Sequence, residues 1–227
     1  MKKIKTLVIT FDKELASKDI PKFRGAILNN IENPDILFHN HFDNSNKLNY
    51  RYPLIQYKTI DRKAALFCIA NGVDVVHEFF RLPEWSININ NKKIDIAVEN
   101  VNVNQFVIQA WDKYFDYNIY NWLPLNEKNY RAYKELTADS EKIFFLERIL
   151  RGNILSFGRG IECEFEREVK VQIIDIKKEK TLKYKDVKMH AVDAVFKTNV
   201  FLPNYVGLGK GTRIGFGVVR EKKSNNK

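Results

Sequence analysis

His39 and His41 stand two residues apart in Phe38-His39-Asn40-His41-Phe42-Asp43 and make up half of the four histidines in the chain. In an extended segment, side chains at i and i+2 face the same side, and in a loop the two could converge on one group. Imidazoles exchange protons near neutral pH, so such a pair can serve as general base and general acid in one reaction. Two other readings stay open at this point. The histidines could hydrogen-bond to a turn, or His-x-His could bind a metal. A metal site would need further ligands from His77, His190, Cys68 or acids, and none stands at a telling spacing, so neither metal nor cofactor is expected. The contiguous letters His-Asn-His are not an HNH nuclease motif, whose residues are spread through a ββα-metal unit.

A second cluster, Gly207-Leu208-Gly209-Lys210-Gly211-Thr212-Arg213-Ile214-Gly215-Phe216-Gly217, places five glycines in eleven positions around two cations. Such a backbone can take φ > 0 and approach a ligand closely, while its amides, Lys210 and Arg213 suit a phosphate. A Walker loop is excluded because Gly211 separates Lys210 from Thr212. A dinucleotide fingerprint is excluded too, since position 212 is not glycine and the following Ile214 to Val219 reads as a strand instead of a helix. The expectation is a glycine-rich hairpin that holds a polyanion.

Charge agrees with that expectation. Thirty-eight Lys and Arg against 28 Asp and Glu leave a net charge of +10, which suits a polyanionic partner without identifying it. Lys, Asn and Ile are all abundant, as low-GC coding also produces, so charge alone decides little. With 44% hydrophobic residues the chain is globular, and its length allows one large domain or two small ones. The start carries only the short apolar run Leu7-Val8-Ile9 and is no signal peptide. No stretch approaches the ~20 apolar residues that span a bilayer, so a soluble, cytoplasmic protein is expected. Cys68 and Cys163 imply no disulfide framework.

The elements that must position these clusters follow from periodicity. Ile4 to Phe11 reads as a strand, and Asp19-Ile20-Pro21 opens a helix with apolar residues at Ile20, Phe23, Ile27 and Ile31. Strands follow over Tyr50 to Thr59 and Ala64 to Ala70, turning at Asp61-Arg62, then a short helix with Val73, Val76 and Phe80. Alternation over Ile94 to Ile108 slips at Asn100 and again between Val103 and Phe106, read as a bulge and a domain junction. The second half shows a strand to about Leu123, helices near Glu127 to Leu136 and Glu141 to Leu155, and strands at Val169 to Ile176, Leu182 to Tyr184 and Ala191 to Leu202. The fold class is therefore α+β: two tandem ferredoxin-like (RRM-like, βαββαβ) domains and a C-terminal glycine-rich hairpin. The divisions are 1–104, carrying the histidines, 105–220, carrying the glycine loop, and a disordered basic tail 221–227.

This layout resembles the RAMP proteins of CRISPR systems. It is most similar to the CRISPR repeat-RNA endoribonuclease, the sixth Cas family, in its subgroup with a short N-terminal half. The residues that carry the likeness are Phe23-Arg24-Gly25, His39 with His41, Tyr50 to Lys58, and Asn204 to Val219. The resemblance implies metal-independent cleavage of precursor RNA within each repeat, by attack of a ribose 2′-hydroxyl that leaves a 2′,3′-cyclic phosphate and a 5′-hydroxyl. His39 and His41 would be the acid-base pair, Lys47 would stabilise the phosphate, and Tyr50 or Tyr52 would position the ribose or share proton work. RNA would be held by Arg24, by the amides of Gly207, Gly209 and Gly211, and by Lys210, Thr212 and Arg213. The implied partner is CRISPR repeat RNA, with other Cas effector subunits and a second copy of the chain as further candidates, and no membrane. A non-catalytic RAMP subunit that binds guide RNA would use the same fold and glycine loop, leaving the histidines structural. A generic RRM is the more distant alternative, because Gly215 to Val218 lies in the last strand and not in an inner one.

Overall fold

The first strand is long: β1 (Lys2–Glu14) buries Ile4 and Thr6, then shifts phase to bury Leu7, Ile9 and Phe11. The computed structural model describes residues 1–31, 41–42, 45–48, 52–76, 80, 86–89 and 92–222. They form two compact units, one of Lys3–Phe106 with Arg213–Gly215, the other of Met1–Lys2, Val107–Thr212 and Phe216–Lys227.

In the first unit, α1 (Ile20–Asn30) starts on Pro21, whose fixed φ suits a first helical turn, and buries Ile20, Phe23, Ala26 and Ile27 at helical spacing. β2 (His41–Phe42) and β3 (Ser45–Leu48) pair as a small hairpin. β4 (Ile55–Ile60) and β5 (Lys63–Ile69) are joined by Asp61 and Arg62 with φ of 48° and 68°, the double left-handed turn that matches strand twist. After α2 (Asn71–Val75), β6 (Ser86–Ile89) pairs with β7 (Lys92–Asp95), and β8 (Val98–Ile108) completes the main sheet. The order β4-β5-β1-β8 is consistent with a ferredoxin-like unit, the two small hairpins being insertions. Phe11, Phe23 and Tyr57 meet edge-on beneath α1, with ring centroids 5.8 and 6.0 Å apart. Ile214, contributed by the glycine segment, packs on the same core.

β8 runs unbroken through Asn100, where the sequence suggested a bulge, while the two compact units divide within the same strand at Phe106 and Val107, next to the second phase slip. The interruption between β7 and β8 lies earlier, at Ile96 and Ala97. There Ala97 N–H donates to Asp12 Oδ1 at 2.8 Å, and Asp12 N–H donates to the Ala97 carbonyl at 3.0 Å. Much of β8 is exposed on both faces, so its alternation reports no buried side.

The second unit holds β9 (Ala110–Trp122), α3 (Glu127–Glu135), α4 (Asp139–Gly160), β10 (Val171–Tyr184), β11 (Val187–Val200) and β12 (Val218–Glu221). Its antiparallel sheet has the order β10-β11-β9-β12, again consistent with the ferredoxin-like plan. Asn126 caps α3 by accepting from Asn129 N–H at 2.8 Å. α4 buries Leu146, Leu150, Ile154 and Phe157 and continues past Leu155 to Gly160. Glu147 on α4 accepts the Ile173 N–H at 2.8 Å and so ties the helix to β10. Val169 to Ile176 and Leu182 to Tyr184, read as separate strands, are parts of one strand. The polar stretch between them pairs charges, with Lys180 Nζ 2.5 Å from Asp193 Oδ2, and carries no apolar signal. Among the described residues no helix is long and apolar enough to cross a membrane.

The glycine segment stands where the plan would put a second helix, and it forms a closed loop, not a two-stranded hairpin. Gly207 bridges Val218, Leu208 N–H donates to the Gly217 carbonyl at 2.9 Å, and Thr212–Ile214 form a 3-10 turn. β12 therefore begins at Val218 and not at Ile214. Gly217 has a φ of +61°, and a Cβ there would lie 1.9 Å from the Leu208 carbonyl oxygen. Gly217→Ala should cost about 3 kcal/mol, a fall in Tm of roughly 10 °C in a chain of this size, measured by thermal unfolding.

Candidate functional site

The hairpin of β2 and β3 lies between α1 and β4, and its backbone register sets His41 opposite Leu48, the neighbour of Lys47. His39 and Tyr50 lie outside the described residues, and His41 and Lys47 are described by their backbone alone. Tyr52 is half-buried shortly before β4, and its hydroxyl accepts a hydrogen bond from Gln56 Nε2 at 2.8 Å. The separate histidine His190, on β11, stands 2.9 Å from Glu179 Oε2 with the rings of Tyr130 and Tyr133 beside it.

The glycine loop is built on aromatic support. A Cβ at Gly209 would come within 2.8 Å of Trp122 Nε1, which itself donates to Asn153 Oδ1 on α4 at 2.9 Å. Gly211 is seated equally closely, against Tyr184 and Phe216, whose rings meet at 89°. Lys210 is exposed with Nζ 5.5 Å from the centre of the Tyr184 ring. Thr212 and Gly207 are buried, Gly209 and Gly211 partly so. Arg213 belongs to the first unit, as do Ile214 and Gly215.

Two features of the first unit are invisible to periodicity. Lys58, at the middle of β4, is 1% exposed; Nζ has no hydrogen-bond partner and lies 5.9 Å from the centre of the Phe67 ring. Burial lowers its pKa to about 7. The second feature is a meeting of charges around Tyr57. This side chain is fully buried, its hydroxyl has no hydrogen-bond partner, and Arg24 and Arg213 both act on it electrostatically. Burial, and after it the Arg24 charge, lowers the Arg213 pKa to about 10. Tyr57 and Lys58 close the run Tyr50 to Lys58 singled out from the sequence. Alternation along a strand would have separated their faces, but nothing in the sequence marks the lysine as buried.

Comparison with known proteins places this geometry. Residues 2–107 match the model of the Cas6b N-terminal domain, and residues 109–222 match that of the Cas6b C-terminal domain. The chain belongs to the Cas6b family. A crystal structure of Cas6b superposes with a TM-score of 0.87 at 30% identity, over 97% of this chain and 100% of that one. A second Cas6b, a CRISPR RNA processing endoribonuclease, gives 0.74 at 25% identity with the same coverage. Csf5, the Cas6 crRNA endonuclease of a type IV CRISPR-Cas system, shares the fold at a TM-score of 0.59 and 11% identity, over 98% and 100% of the two chains. An uncharacterised protein of Methanocaldococcus jannaschii is 40% identical over 98 residues, a match covering 43% of this chain and 65% of that protein.

For this Cas6b chain, Lys58 makes stability depend on pH. Its folded pKa lies below its unfolded one, so between about pH 7 and 10 the unfolded chain binds more protons and stability rises with pH. At and below pH 7 the fold must carry a buried ammonium. Lys58→Met keeps an unbranched apolar stem and should raise Tm most at pH 6 to 7, with the advantage shrinking towards pH 10. An unchanged difference across that range would show that Lys58 does not titrate in the fold.

Proposed function

We propose that this chain is an endoribonuclease that cleaves CRISPR precursor RNA within its repeats, without a metal ion. Its membership of the Cas6b family through both halves carries the reading. The β2–β3 register, which brings the backbone of His41 close to that of Lys47, supports the assignment of roles. The tandem ferredoxin-like layout, divided near residue 105, gives the histidines to the first domain and the glycine loop to the second.

One histidine of the His39–His41 pair removes the proton of the 2′-hydroxyl beside the scissile phosphate. The oxyanion attacks phosphorus in line with the 5′-oxygen, Lys47 balances the charge gathering on the phosphorane, and the other histidine protonates the departing 5′-oxygen. The bond from phosphorus to the 5′-oxygen breaks, leaving a 2′,3′-cyclic phosphate and a 5′-hydroxyl. Tyr50 or Tyr52 orients the ribose. Arg24, Lys210, Thr212 and Arg213, with the loop amides, hold the RNA backbone. The reaction takes place in the cytoplasm.

Repeat RNA incubated with the protein in EDTA should be cut, and His39→Ala and His41→Ala should each slow cleavage by about 10²-fold or more, the usual worth of a proton-transfer group. A 2′-deoxy substitution at the attacking nucleotide should abolish product while leaving affinity nearly unchanged. Absence of cleavage by the wild type would favour a subunit that only binds guide RNA, whereas full activity in both histidine variants would overturn the histidine mechanism and leave the catalysis to other residues. Lys210→Ala should weaken RNA binding and flatten its salt dependence by about 0.7 in the log-log slope, read by titration at several salt concentrations.

A further inference from the structure

Arg24 on α1, Tyr57 on β4 and Arg213 from the glycine segment come from three distant parts of the sequence and meet within the first unit. The arrangement is costly as it stands. Two like charges face each other where burial weakens water's screening. No ion pair among the described residues includes Arg24, and its Nε is buried without a hydrogen-bond partner. The Tyr57 hydroxyl, fully buried between these charges, is also unbonded. Buried polar groups in folded proteins are almost always bonded, and two orphans beside two cations are the complement of a missing anion with several acceptor oxygens.

The helix beside them points the same way. Gly25 sits in the interior of α1, where glycine weakens a helix, yet among the described residues a Cβ there would have nothing within 4 Å. Packing among the described residues gives no reason for the missing side chain. A ligand lying against the helix next to Arg24 does.

We propose that Arg24, Arg213 and Tyr57 form one phosphate subsite, which takes a single phosphodiester of the bound RNA laid against α1 at Gly25. The two guanidinium groups donate to the non-bridging oxygens, and the Tyr57 hydroxyl donates from the floor of the site. Arg213 thus acts apart from Lys210, although the two lie three residues apart in sequence. The subsite rests on the RNA-binding reading above and adds to it the place and partners of one phosphate.

The test is titration of a repeat RNA carrying a 2′-deoxy nucleotide at the cleavage site, together with thermal unfolding of each free variant. Arg24→Gln and Arg213→Gln should each weaken binding about tenfold, the loss of a charge-assisted hydrogen bond. The double variant should lose clearly less than the product of the two, because both hold the same phosphate. Arg24→Gln should leave Tm of the free protein unchanged or higher, since it relieves repulsion. Tyr57→Phe should weaken binding several-fold without lowering Tm. Gly25→Ala should raise Tm by about 2 °C while weakening binding. Binding and salt slope unchanged in Arg24→Gln and Gly25→Ala, with Lys210→Ala still impaired, would overturn the subsite and leave the RNA reading standing. Arg24→Gln that lowers Tm and spares affinity would make the arginine a structural group. A wild type that binds no RNA would defeat both proposals. Should Arg213→Gln fail to fold, Arg24→Gln, Tyr57→Phe and Gly25→Ala decide the matter alone.

Discussion

The closure of the glycine loop on itself is the constraint from which the rest of the arrangement follows. Leu208 donates to the Gly217 carbonyl, while the Leu208 carbonyl fills the space a side chain at Gly217 would need. The two arms are thereby pinned in one relative position. The outgoing arm enters β12 in register with β9, with Val218 opposite Tyr120 and Val219 opposite Ile119. The ingoing arm is wedged against Trp122 at Gly209. Between them, the 3-10 turn delivers Arg213, Ile214 and Gly215 to the first unit, where Gly215 passes so close to Ile20 that a Cβ would meet its side chain at 2.6 Å. A loop with this much positive-φ backbone would ordinarily be mobile. Burial of Val206, Leu208 and Thr212 makes it a fixed part of the fold.

Charge is handled in two different ways. Exposed pairs such as Arg62 with Glu14 and Lys183 with Asp186 lie in water and contribute little to stability. Lys58, Arg24 and Arg213 are instead held where the surroundings are poor in water. A cation held there acts on an approaching anion through a lower dielectric, so its attraction is stronger and its position already fixed. The net charge of +10 is spread over the chain, whereas these few cations are held at fixed places in the fold.

Much of the scaffold was legible because the buried faces are one-sided. Ile20, Phe23 and Ile27 on α1, and Leu146, Leu150 and Ile154 on α4, are the residues that periodicity selects and that the core takes. Legibility failed where burial was absent or two-sided. The exposed middle of β10 carries no alternation, and β8, open on both faces over much of its length, offered a phase slip at Asn100 that corresponds to no bulge. The glycine segment failed for another reason: spacing suggests turns, but whether the chain between them pairs as strands depends on contacts from elsewhere, here Trp122, Tyr184 and Phe216. For the site, the His-x-His spacing and the loop cations were readable as residue types. The convergence of Arg24, Tyr57 and Arg213 was not, since no local pattern links residues from opposite ends of a chain.

The first unit is not finished by its own stretch of sequence. Ile214, which packs against its core, is added by a ribosome only after the whole of β9 through β11 has been made. Until then α1 and its sheet lack that contact on their core. A nascent chain truncated before the glycine segment lacks both the last piece of the first core and Arg213, so an incomplete product would be marked out by instability as well as by its missing cation.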